Sequence, residues 1–181
     1  MTEIQSVFID RLQDLNKWLD QNWHQKTSAW LVFYKKSSQK ADFTYSDIVD
    51  VLLCYGWIDS LPNKVDSERT KLRISPRNPK SYWSRVNKEK IRKLLEQNKM
   101  HHNGLRIMEI AQANGAWNAL DAVENLILPP DLESFLQQNQ YLEKWRTLSR
   151  SFKRSFLEQL LNCKKAETRA RKIESLRSKL Q

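Results

Sequence analysis

The chain has 181 residues, enough for one compact domain, or one domain with a small appended unit, around a hydrophobic core that needs neither metal nor disulfide. Two cysteines, Cys54 and Cys163, sit in apolar helical stripes and exclude a disulfide scaffold, which suits a reducing, cytoplasmic setting. No apolar run approaches the roughly 18–20 residues of a membrane span, the first residues lack a secretory pattern, and no membrane insertion is expected. The net charge of +10 is concentrated: residues 64–93 hold 11 Lys/Arg against 3 Asp/Glu, and residues 164–181 hold 7 against 2. Two basic segments on a mildly acidic body point to an anionic partner or to a solvated face.

In chain order, residues 4–9 read as a short edge strand. From Asp10, an N-cap, the apolar positions Leu12, Leu15, Trp18 and Leu19 predict a helix to about Trp23. The run AWLVFYKK (29–36) is rich in strand formers and too short for a helix. Thr44 and Asp47 stand in capping-box spacing before Ile48, Val51, Leu52 and Tyr55, and Gly56 can end that helix with a positive φ. Leu72 and Ile74 alternate with Lys71, Arg73 and Ser75, so Arg69, Lys71 and Arg73 project on one polar face of a strand. Pro76 and Pro79 then break the ladder. Ser84 caps a helix to about Asn98, on which Asn87 shares a face with Ile91, Leu94 and Leu95 and points inward. The rest reads as helices over about 102–114, 131–138, 139–149, 150–163 and 166–180. The expected fold is α+β, a small antiparallel sheet with packed helices over 1–115, a connection over 116–130, and a helical C-terminal module over 131–181.

Familiar chemistry is missing. His101 and His102 are adjacent, with no Cys or His at ligand spacing, and are expected at a helix start pointing apart, so no metal is implied. Cys54 lacks an adjacent activating group, and Cys163 belongs to a core stripe. Three glycines supply no phosphate loop or dinucleotide fingerprint, and no cofactor is expected. What remains is the segment 56–87, with Trp57, Asp59, Arg69, Arg73, Arg77, Trp83, Ser84 and Asn87. Guanidinium forks, aromatic faces and a helix N-terminus are the ingredients of an anion pocket. The structural alternative puts Trp57 and Trp83 in the core and pairs Asp59 with Arg69 or Arg73.

These residues lie in motifs that resemble a bacterial family, the YdeI/OmpD-associated proteins, described as bacteriocin-protection or stress-resistance proteins. The motifs are WLVFYKK at 30–36, CYGWIDS at 54–60, RxxxRxxPR at 69–77, WSxxNKE at 83–89, AW at 116–117 and CKKAETRARKI at 163–173. The resemblance implies a cytoplasmic protein with a small α/β part before a helical module, and involvement in tolerance to cationic peptides or envelope stress. It transfers no catalytic residue. Ile74 stands where the family often carries an aromatic, so no ring contact is expected there.

Three functions follow as expectations. The first is a monomeric or weakly dimeric stress-response protein holding a small anionic or phosphorylated ligand at the eight residues above, its C-terminal helices free to meet another protein. The second is a nucleic-acid-binding protein using Lys71, Lys80, Arg85, Lys88, Lys90 and Lys93 with the basic 164–172 stretch. The third is an enzyme with Asp59 as acid or base beside the arginines.

Overall fold

The structure is a computed structural model and describes residues 4–181. Two compact units divide at Asn118 and Ala119.

The first unit is α+β. Its elements are β1 (Ser6–Phe8), α1 (Leu12–Asn22), β2 (Ala29–Tyr34), α2 (Tyr45–Cys54), β3 (Trp57–Lys64), β4 (Arg69–Pro76), α3 (Arg85–Glu96) and α4 (His102–Ala113). The sheet order is β1-β2-β4-β3. The sheet is mixed rather than antiparallel, because β1 runs parallel to β2 across the α1 connection while β4 is antiparallel to both β2 and β3.

The period-2 pattern of the strands sorts their side chains between two faces. Ala29, Leu31, Leu72, Ile74 and Trp57 are buried with Leu15 and Leu19 of α1 and Ile48 and Leu52 of α2 in one apolar cluster. Burying these side chains is the main driving force, at about 1.5–3 kcal/mol for each leucine or isoleucine. The opposite face carries Phe8, Trp30, Val32, Tyr34, Arg69, Lys71 and Arg73, none of them buried.

Caps follow the sequence closely. Thr44 Oγ1 accepts from the Asp47 N–H, and Asp47 accepts in return from the Thr44 N–H. Gly56 ends the helix at φ +71°. The cap of α1 is Arg11 rather than Asp10, with Asp14 accepting from the N–H groups of both.

The second unit is helical: α5 (Asp121–Glu124), α6 (Pro130–Gln138), α7 (Leu142–Thr147), α8 (Arg150–Leu161), α9 (Ala166–Glu174) and α10 (Arg177–Leu180). Its core is a separate cluster centred on Leu132, Leu136, Trp145, Phe156, Leu160 and Leu176. The stretch 116–130 buries Leu120 and Val123 in that core and forms α5. Cys163 is half-exposed rather than core, its thiol donating to the Gln159 carbonyl at 3.3 Å. No helix among the described residues is long and apolar enough to cross a membrane.

Candidate functional site

The junction CYGWIDS turns α2 into β3. Gly56 takes the left-handed conformation, and its carbonyl accepts from the Arg77 N–H at 2.9 Å, which fixes the start of β3 against the end of β4. Trp57 then points into the core at 0% exposure, edge-on to Trp18 at 5.5 Å, its indole N–H donating to the Trp23 carbonyl. That places Trp57 as packing, not as a ligand wall.

Asp59 pairs across the sheet with buried Ile74, on the helix-covered face. It accepts a 2.5 Å hydrogen bond from the hydroxyl of Tyr45, the first residue of α2. Burial and this acceptor push the Tyr45 phenol up to about 12, so it stays a donor at neutral pH.

Arg69 and Arg73 are elsewhere. They stand with Lys71 on the opposite, outward face, as the alternation of β4 requires. Arg69 pairs with Asp66 at 2.7 Å, and Arg73 donates from Nε and Nη2 to the Ser28 hydroxyl. Neither reaches Asp59 in an ion pair among the described residues.

Arg77, only 3% exposed, lies beyond the end of β4. Its guanidinium stacks over Trp83 at 3.7 Å, and Nη2 donates to the Tyr82 carbonyl at 2.6 Å, which ties down the loop 77–83. Nε and Nη1 are buried without a partner among the described residues. Burial pulls this guanidinium down to about 10, against a raising effect from the Asp59 charge. Ser84 caps α3 by accepting from the Asn87 N–H, and Asn87 is half-buried rather than fully inward. Leu95 on the same helix is 38% exposed.

The eight residues therefore fall into separate places: Trp57 and Asp59 under the sheet, Arg69 and Arg73 on its other side, and Arg77, Trp83, Ser84 and Asn87 around the loop that enters α3. The sheet itself separates Asp59 from Arg73.

A cavity the sequence did not disclose lies next to this region. It measures about 710 Å³, with walls from Phe33, Phe43, Pro62 and Leu72. Hydroxyls of Thr44, Tyr45, Ser46, Ser60 and Thr70 line it, together with Lys35, Lys36 and Lys71 and no Asp or Glu. Lys71 carries its ammonium over Trp30 on the outward face, and Lys35 donates to the Asp66 and Ser67 carbonyls. Phe33 belongs to the strand run AWLVFYKK and Phe43 to a loop without pattern, and neither position announces a cavity in the sequence.

His101 and His102 do not point apart: their rings lie 3.9 Å from each other, and with His24 they surround Trp23 at 5.4, 4.7 and 5.6 Å. No group of three His, Cys, Asp or Glu among the described residues could hold a metal ion. Cys54 is buried, and burial raises its thiol to about 11, which leaves it inert at neutral pH. The basic C-terminal stretch is partly neutralised, Arg169 by Asp131 and Arg177 by Glu174.

Among known proteins, residues 7–107 match a family described as a domain of unknown function (DUF8412). Residues 125–181 match the family described as bacteriocin-protection, YdeI or OmpD-associated. The motifs at 30–36, 54–60, 69–77 and 83–89 lie in the first match and the one at 163–173 in the second. No curated protein and no solved structure matches the chain.

Proposed function

From the premise that the chain belongs to the DUF8412 family over more than half its length and carries a YdeI/OmpD-associated C-terminal segment, we propose a cytoplasmic, stress-related binding protein. Its first unit takes a small molecule with an apolar body and one anionic group. The C-terminal match supports the stress-related role; the ligand class is argued from the cavity.

One observation carries this reading: a cavity of ligand size with aromatic and aliphatic walls, a few hydroxyls, lysines and no carboxylate in its lining. The apolar walls supply burial, the hydroxyls fix orientation, and Lys35 and Lys36 favour an anion over a neutral analogue. The ligand site thus moves from the eight residues read in the sequence to their neighbours, with Tyr45 and its Asp59 partner at the border.

Calorimetry and thermal shift of the full chain with medium-length fatty acids and aryl phosphates, each beside its neutral analogue, test the reading. The charged members should raise Tm and bind more tightly than the neutral ones. Phe43→Ala and Lys36→Glu should each weaken binding by about tenfold without unfolding the protein, about 1.4 kcal/mol of affinity. A complete panel without a shift, or binding indifferent to both substitutions, rejects it.

A further inference from the structure

The outward face of the sheet is a second surface, chemically unlike the cavity. Register places Trp30 beside Arg73, Val32 beside Lys71 and Tyr34 beside Arg69 across the β2/β4 pair, with Phe8 beside Val32 on the other side. Three aromatic rings and three cations therefore alternate on one open surface. Phe8 is 48% exposed and meets Tyr34 edge-on at 5.6 Å. The Lys71 ammonium sits 4.5 Å over the Trp30 ring.

The charges on this face are unequal. Arg69 is neutralised by Asp66, whereas the Lys71 ammonium lies over the Trp30 ring and the Arg73 guanidinium donates to the Ser28 hydroxyl, with no carboxylate paired to either among the described residues. The positive centre lies between Trp30 and the middle of β4, where no carboxylate pairs with it among the described residues. The apolar cluster of the first unit, with side chains of α1 and α2, lies on the other side with Leu31, Leu72 and Ile74.

We infer that this face binds single-stranded nucleic acid, with bases stacked on Trp30, Tyr34 and Phe8 and phosphates met by Arg73 and Lys71. Aromatic platforms interleaved with cations are sequence-tolerant, because every base offers a π-face and every nucleotide a phosphate. Trp30 and Tyr34 stand four residues apart on one strand, about 13 Å. An open sheet carrying rings at such spacing takes roughly two or three bases. A duplex hides its bases and would use only the cations. Of the set expected from charge, Lys71, Lys80, Arg85, Lys88, Lys90 and Lys93, the site takes Lys71 alone: Lys80 lies in the loop before α3, and on α3 Lys90 is bound to Asp50 and Lys88 lies over Trp117.

The test is fluorescence anisotropy of labelled oligo-dT and oligo-rU of about ten nucleotides with the full chain, at about 50 and about 200 mM salt. A duplex and vesicles rich in anionic lipid are run in parallel. Binding of either single strand, with quenched tryptophan emission and an affinity that falls with salt, is expected, and the dT and rU arms tell DNA from RNA. Trp30→Leu and the double variant Lys71→Gln/Arg73→Gln should each weaken it by about tenfold or more, while Lys93→Gln on α3 leaves it unchanged. Circular dichroism of each variant separates loss of the face from loss of the fold. The inference falls if neither oligomer binds, if the duplex or the vesicles bind as well as the single strands, or if folded Trp30→Leu binds like the wild type. Phe43→Ala, at the cavity on the helix-covered side of the sheet, should leave oligomer binding intact.

Discussion

Arg77 shows how a cation can be placed for packing and still be costly. Its guanidinium gains a stack on Trp83 and one carbonyl, yet its buried Nε and Nη1 have no hydrogen-bond partner among the described residues. Removing a buried charge while keeping its aliphatic stem is often neutral or stabilising, whereas truncation leaves a void and an unpaired carbonyl. Arg77→Met should therefore change stability by less than about 1 kcal/mol and Arg77→Ala lower it by about 2–3, read from urea unfolding. Equal losses would mean that the charge itself is held. His101 gives a pH signature. Burial, and then the neighbouring His102, hold its imidazole below the usual range, against a raising effect from Asp20. The unfolded chain then binds the proton more readily, so this contribution to stability is present above pH about 6.5 and lost as pH falls through the lower folded value. Thermal melts between neutral and mildly acidic pH should show the loss, and His101→Phe should remove that part of it. In sequence the outward projection of Arg69, Lys71 and Arg73 was legible, because alternation alone decides it. The burial of Arg77 was not, since alternation ends with β4 and what covers Arg77 is Trp83, brought back by the loop.

Between elements, the closest approach is at Gly104. A Cβ there would lie 2.1 Å from the Cys54 carbonyl oxygen, so α4 packs directly on the end of α2. Around that contact the His101 N–H donates to the Cys54 carbonyl and Asn103 Nδ2 to the Tyr55 carbonyl, satisfying the helix end. Gly104→Ala must push two backbones apart, and a loss of about 3 kcal/mol or more is expected in denaturant unfolding, against a small change for Gly115→Ala beyond the strain of its positive φ, because its Cβ would meet open space. Nothing in HNGL announced this, since a glycine inside a helical pattern looks only like a weak position. Helices α2 and α3 were readable because their caps and apolar spacing agree, and α4 from its apolar spacing. Strand β3 escaped because WIDSLPNK buries only Trp57, carries Pro62, and slips register between Asp59 and Pro62, so it has no period to detect. The parallel β1 pairing escaped as well, because three residues carry no directional signal.

At the scale of the molecule, the two apolar clusters have no residue in common. Residues 119–181 enclose Trp145, Phe156 and seven leucines among their buried side chains, tied by Arg154 to Glu124 and Glu158 and by Arg169 to Asp131. Expressed alone, that segment should give a helical circular dichroism spectrum with a cooperative melt, though a marginal one for so short a unit. A featureless melt would mean that its core needs the rest of the chain. The sheet's two borders carry a further consequence. One is β1, only three residues long, and the other is β3, interrupted by its bulge and by Pro62, which has no N–H to offer. A foreign extended peptide would find no unbroken ladder to join as a fifth strand, and neither would a second copy of the chain. Recognition by strand addition is closed off, and so is the easiest route to fibrils. Whatever meets this sheet must read its side chains.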